Sequence, residues 1–350
     1  MRKEVYLKDL GRLKKAMDTS ANTPFTMYAK VITLVVMNIR YEKVAFNSKL
    51  DIHPYLLAKD IITKAVEQFD SMLDAAFINN KDKKIIGTKS RKREEKHRVL
   101  FNEIWDRYGH KEYIEYVERY VRRIKVNKLE KAIKGKKCID LGCGNGNFCI
   151  ALLKCGARFA FGVDYGKKSI VYAKNAAKQM GYDKEALFKH KSVYDTGFKN
   201  SAFDFAIQNG VFHHLDDEVK AIKEAGRILK KGGWFWFYTD GEGGISYDLW
   251  DASVHMLRNI PVRFIEDILT SMNVSRNKIV HIMDGLSATY RHTSWDKATK
   301  QLAGCGFGNF KRLTGGFSTD FDLDRIEADP YGSEKFGEGD LRILCQLIRK

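Results

Sequence analysis

The sequence predicts an α/β protein with a doubly wound, mostly parallel seven-stranded sheet, a helical N-terminal extension and a cap insertion. Three observations carry this expectation. Between Lys136 and Thr239, short apolar runs alternate with helical stretches, the pattern of parallel strands joined by right-handed crossovers. The first apolar run is followed by a turn with glycines at 142, 144 and 146, and then by a helix. Residues 1 to about 95 show helical spacing without that alternation.

The elements follow in order. Leu56 to Phe77 is helical, and the apolar run Val31 to Asn38 is a buried strand or core helix. Glu94 to Val126 reads as one or two amphipathic helices broken near Gly109, with Phe101, Trp105, Tyr113, Val117 and Tyr120 on the apolar face. Strands are expected at Cys138–Leu141, Phe159–Asp164, Ala186–Ser192, Phe203–Asn209 and Trp234–Thr239. Helices are expected at Asn147–Lys154, Lys168–Met180 and Glu218–Leu229, the last stopped by Gly232 and Gly233. Asn309–Leu313 and Leu341–Ile348 supply two closing strands. These spans suggest an accessory region over residues 1–95 and a main domain over 96–350. Within the latter, 241–304 is a cap insertion with helical stretches at Val262–Met272 and Ser294–Ala303. The acidic segment Gly316 to Asp340 reads as a solvated loop or lid.

Composition narrows the class. With 350 residues, 44% hydrophobic and 30% charged, the chain is neither disordered nor too small for a large core. Four prolines suit a helix-rich α/β protein. No run approaches the ~18–20 apolar residues of a membrane helix, and the N-terminus lacks a secretory signal pattern. A cytoplasmic location is therefore the expectation. Cys138, Cys143, Cys149 and Cys155 lie close in sequence but form no Cys-x-x-Cys pair, so no metal site is expected. The net charge of +17 favours an anionic partner without specifying one.

The chemistry lies in two motifs. Asp140-x-Gly142-x-Gly144-x-Gly146 links a strand to a helix N-terminus, where free N–H groups and close backbone approach favour a ligand. The acid ahead of evenly spaced glycines favours a ligand amino group over a phosphate. Gly162-Val-Asp164-Tyr165 follows at the end of the second strand, where an acid can accept both hydroxyls of a ribose.

Lys136 to Gly233 resembles the core of the class I S-adenosylmethionine (SAM)-dependent methyltransferases. It is most similar to the small-molecule enzymes typified by ubiquinone and menaquinone biosynthesis. Cys138-Ile-Asp-Leu-Gly-Cys-Gly-Asn-Gly146 and Phe161-Gly-Val-Asp-Tyr165 carry the likeness. So do Ser201-Ala-Phe-Asp-Phe-Ala-Ile-Gln-Asn-Gly-Val-Phe-His-His-Leu215 and Ala225-Gly-Arg-Ile-Leu-Lys-Lys-Gly-Gly-Trp234.

The resemblance implies a Rossmann-like sheet and SAM as cofactor. It implies that Asp140, Gly142, Gly144 and Gly146 hold the methionine part, Asp164 the ribose and Tyr165 the adenine. Gln208 and Asn209 would touch the cofactor near its methyl group. Ser192 falls where the family usually has an acid for the adenine amino group, and the Val193 N–H could serve adenine too. Trp105 or Tyr108 is a candidate aromatic over the cofactor.

Methyl transfer from a sulfonium needs chiefly alignment of the nucleophile, and a base only where a proton must leave. His213 and His214, just past the fourth strand, are candidate bases. Tyr290 and His292 in the insertion are candidate acceptor-side residues, and Asp240 is a further group at the pocket. Gln208-Asn-Gly-Val211 stands where base- and glutamine-amino methyltransferases typically carry Asn/Asp-Pro-Pro-Tyr, and no proline precedes a cysteine as in cytosine-C5 enzymes.

The expected acceptor is thus an O, N or C nucleophile of a small or lipid-like molecule. The alternatives are an RNA or protein methyltransferase and a non-catalytic SAM-binding partner module. Nucleic acid is admitted by the charge and the basic stretch Lys81–Arg98 but is not the favoured partner. The sequence does not indicate an oligomeric state.

Overall fold

The computed structural model describes residues 2–76, 109–287 and 291–349. The basic stretch Lys81–Arg98, Trp105, Tyr108 and Tyr290 lie outside them. Compactness divides the chain differently from linear order. One unit gathers the N-terminal helices with residues 242–287 and 325–338; the other holds 92–241, 288–324 and 339–350.

The sheet unit is built on seven strands: β1 (Lys137–Leu141), β2 (Phe159–Asp164), β3 (Ala186–His190), β4 (Phe203–Asn209), β5 (Leu229–Asp240), β6 (Phe307–Arg312) and β7 (Asp340–Leu347). Their order is β3-β2-β1-β4-β5-β7-β6, and only β7 runs against the others. The chain turns left from β1 to β2 and β3, then right to β4 and β5. The carboxyl ends of β1 and β4 therefore flank the switch point, the usual place for a ligand in such sheets. All seven expected strands form, two of them (Phe159–Asp164 and Phe203–Asn209) with the expected bounds and the others with ends shifted by up to five residues. The largest shift is in β5, which begins at Leu229, before the Gly232–Gly233 stop.

Side-chain alternation sorts the core into two layers. Cys138, Phe205, Ile207 and Trp236 pack with helices His110–Val126, Asn147–Lys154 and Lys167–Gln179. Ile139, Leu141, Ala206, Phe235 and Phe237 pack on the opposite face with helices Glu218–Ile228 and Trp295–Gly304. Helix Asn147–Lys154 is buried along almost its whole length, sandwiched with helix His110–Val126, where Phe148 stacks on Tyr120 at 4.3 Å. Cys138, Cys149 and Cys155 belong to this packing. Burial pushes their thiols up, to about 11 at Cys155.

The helical unit explains residues whose sequence pattern was open. The run Val31–Asn38 lies inside helix Pro24–Ala45, started by a Thr23–Thr26 capping box and by proline at its first position. Helix Pro54–Ala75 packs against both this helix and helix Glu4–Thr19. Their further partners come from the far end of the chain, since helix Gly244–Leu257 packs on both Glu4–Thr19 and Pro24–Ala45. Tyr6 donates to Asp248 (2.5 Å), Asn38 to Ser253 (2.8 Å), and the fully buried Lys335 to Asp329 and the Asn47 carbonyl (2.7 Å each). The insertion read as one piece is thus shared between the units, and the acidic segment Gly316–Asp340 is not simply solvated. Asp320, Asp322 and Asp329 are buried, each with a hydrogen-bonding partner.

Candidate functional site

The turn after β1 is shaped by backbone conformations open chiefly to glycine. Gly142 and Gly146 have φ of +87° and +80°. A Cβ on Gly142 would stand 2.5 Å from Val211, and one on Gly146 would stand 2.7 Å from Phe188. The turn is therefore pressed against the loop after β4 on one side and against β3 on the other. Val163 of β2 accepts the Gly142 and Cys143 N–H groups (2.8 and 3.0 Å).

Asp164 ties this turn to the next one. One carboxylate oxygen accepts the Gly144 N–H (2.9 Å) and the other the Gly166 N–H (2.7 Å). Tyr165, 58% exposed, is braced by His190, whose ring nitrogen bonds the Tyr165 carbonyl at 2.9 Å. On the β3 side, the Ser192 hydroxyl accepts the Tyr194 N–H (3.2 Å), while Val193 is buried in the core.

Three buried polar groups surround the glycine turn. Asp140 is 3% exposed, and burial, reinforced by the charge of Asp164, pushes its carboxyl up to about 8. Asn145 accepts the Asn147 N–H through its side-chain oxygen (3.3 Å), and its buried Nδ2 has no partner. At the end of β4, Asn209 donates to the Tyr120 hydroxyl (3.4 Å), and its buried Oδ1 has no partner. Gln208 has a different position. It is fully buried, donates to the Tyr238 carbonyl (2.5 Å) and accepts the Val211 and Phe212 N–H groups (3.2 Å each). It ties the loop after β4 to β5.

Beyond that loop, His213 and His214 lie in a short 3-10 turn, both 2% exposed, with ring centres 4.0 Å apart. His213 Nε2 is 3.8 Å from Asp240 Oδ2 at the end of β5. The Tyr238 hydroxyl reaches Asp240 (2.9 Å) and Asp340 (3.3 Å). Arg342 on β7 donates to Asp340 (2.9 Å) and lies 3.4 Å from Asp320, which accepts from Arg123 (3.0 Å). Burial works against the Arg342 cation, but Asp340, Tyr238 and Asp320 outweigh it and raise its pKa. At Arg123, burial and the neighbouring Arg342 prevail, and the pKa falls. His292 is half-buried in the strap whose next residue, Thr293, donates its N–H to the Asp240 carbonyl (3.1 Å).

A methyltransferase-domain family model matches residues 133–242, from the approach to β1 to just past β5. Residues 133–242 form a class I SAM-dependent methyltransferase domain. Its class uses S-adenosylmethionine as cofactor. The 27-O-demethylrifamycin SV methyltransferase of Amycolatopsis mediterranei is 25% identical over 99 residues, 28% of this chain and 36% of that protein. The ubiquinone biosynthesis O-methyltransferase of Pelagibacter ubique is 26% identical over 196 residues, 52% of this chain and 78% of that protein. The demethylmenaquinone methyltransferase of Staphylococcus aureus is 28% identical over 145 residues, 40% of this chain and 58% of that protein. The chain thus spans little more than a third of the first relative and under two thirds of the third.

The methyltransferase domain brings Asp140, the glycines, Asp164 and Asn209 around one turn, and gathers His213 and His214 with Asp240 beside it. Sequence reasoning did not single out Asn145, which stands inside the glycine motif, nor Tyr238 and Arg342. Motif position was a usable signal for Asn145. For the other two, no local pattern marks the pairing.

Proposed function

We propose that this chain transfers a methyl group from SAM to an O, N or C nucleophile of a small or lipid-like molecule. The observation that carries this is the buried Asp140 carboxyl together with two unmatched buried atoms, Asn145 Nδ2 and Asn209 Oδ1, around the glycine turn. A buried acid, a buried amide donor and a buried carbonyl acceptor suit the zwitterionic end of a sulfonium amino acid. Asp140 and the Asn209 oxygen would take the ammonium, and the Asn145 amide the carboxylate. Asp164 would accept the ribose hydroxyls. Tyr165 would lie against the adenine, with Ser192 and Val193 at its edge. Gln208 would act through the shape of the loop rather than by contact.

The bound cofactor supplies an electrophilic methyl group; the rest is alignment and proton handling by the chain. His213, with His214 beside it, is the group proposed to receive a proton from the acceptor. His292 and Tyr290 are the proposed acceptor-side residues. The names of the relatives, which concern a rifamycin, ubiquinone and demethylmenaquinone, favour a ring-bearing small acceptor.

The net charge of +17 motivates RNA as the second reading. Incubation with methyl-labelled SAM and separate pools of phenols, quinols, RNA and protein decides between them. Label is expected in a small phenolic or quinol acceptor. Label in RNA or protein would replace the small-molecule reading. SAM binding by calorimetry without label in any pool would support a non-catalytic module.

A further inference from the structure

We propose that Asp240 is a positioning residue for His213, holding its ring in place and stabilising the charge it gains on taking the acceptor's proton. The inference rests on the reading of His213 as the proton acceptor. It goes beyond that reading by assigning the group that makes this histidine basic.

The geometry begins with Asp240 itself. It is the last residue of β5, paired in register with Asp340 of β7, and its carbonyl is held by the Thr293 N–H (3.1 Å). The Tyr238 hydroxyl lies between the two carboxylates but has one proton to give. Asp340 already receives Arg342 (2.9 Å) and the Phe321 N–H (3.0 Å) on one oxygen. The shorter tyrosine contact is to Asp240, 2.9 Å against 3.3 Å. The hydroxyl therefore serves Asp240 Oδ1, which fixes the carboxylate and turns Oδ2 towards His213 Nε2 at 3.8 Å.

At that distance the pair is an ion pair once the ring is protonated, and it closes to a hydrogen bond with a shift of about 1 Å. His213 is buried and Asp240 is mostly so, which weakens screening of the attraction. When the acceptor's nucleophile bonds to the methyl carbon and the S–C bond breaks, its proton passes to His213. The resulting imidazolium faces the Asp240 carboxylate. Among the described residues, His214 on the same turn and Tyr238 on β5 face this pair. Asp340 and Arg342 of β7 stand one contact further out and offset each other.

The test is NMR of the full chain labelled with 15N-histidine, following the imidazole nitrogens of His213 from pH 5 to 9. His213→Gln identifies the signal. Asp240→Asn is expected to lower the His213 pKa by about one unit, and Asp240→Glu to restore most of it. An unchanged His213 pKa in folded Asp240→Asn would overturn the pairing. If His213→Gln transfers label from SAM as fast as the parent chain, the reading of His213 as proton acceptor fails instead, whatever Asp240 does to the ring.

Discussion

The two sides of the sheet's switch point are built from different materials. Around β1 and β2, the clasp is mostly backbone. Glycine amides meet the Val163 carbonyl and the Asp164 carboxylate, and the residues involved lie within a short stretch of chain. Around β4, β5 and β7, side chains meet side chains. His213, Asp240, Tyr238, Asp340, Arg342, Asp320 and Arg123 form one connected set drawn from across the sheet unit. A backbone clasp depends on conformation, so it is specified by glycines and one acid. A buried charge network depends on every partner, so losing one leaves others unpaired.

That contrast can be broken most directly at Arg342. Arg342→Met should leave Asp320 and Asp340 short of a buried cation and cost about 3–5 kcal/mol of stability. Urea unfolding measures this. SAM affinity, measured well below the melting temperature, should be unchanged in the folded fraction. If affinity falls with stability, the two sides are not separable.

Asp164→Ala should do the reverse. SAM binding should weaken by about 1.5–3 kcal/mol, the worth of hydrogen bonds to a charged acceptor. Unchanged affinity by calorimetry would remove Asp164 from the ribose site.

Asp140 sharpens the comparison through pH. Its carboxyl keeps a proton in the free domain up to about 8, whereas an unfolded chain gives it up near pH 4. The folded state therefore holds the extra proton between these values, and this residue's contribution to stability falls as pH rises through them. Asp140→Asn should flatten that fall in thermal melts, making the ligand-free variant more stable than the parent at pH 8 relative to pH 5. In the parent chain, pairing with the cofactor ammonium requires the carboxylate. SAM affinity should then rise by up to about tenfold per pH unit, levelling near pH 8. A pH-independent affinity from 6 to 8 would take Asp140 out of contact with the ammonium.

The smallest effect is expected at His190. Its ring bonds the Tyr165 carbonyl from an exposed position, so His190→Ala should weaken SAM binding by only about 0.5–1 kcal/mol. A larger loss, read by the same calorimetry, would make the Tyr165 brace part of the site's framework.

By itself the sequence determined the sheet and the clasp. Alternating apolar runs specify buried strands, and the glycines that follow Asp140, together with Asp164 at the end of the next strand, specify a turn, because these depend on residues near one another in the chain. The helix-forming stretches Val262–Met272 and Ser294–Ala303 were legible for the same reason, and each lies within two residues of a helix in the structure. Where such stretches dock was not legible. Helix Val262–Ser271 belongs with the N-terminal helices and helix Trp295–Gly304 with the sheet, although they are neighbours in sequence. Nor did Gln208 announce that its amide would be consumed within its own loop, or Asp240 that Tyr238 would turn it towards His213. Tertiary structure decided those points, because burial and pairing arise only when β4, β5 and β7 lie side by side. A charge acquires its role from the partner that removes it from water.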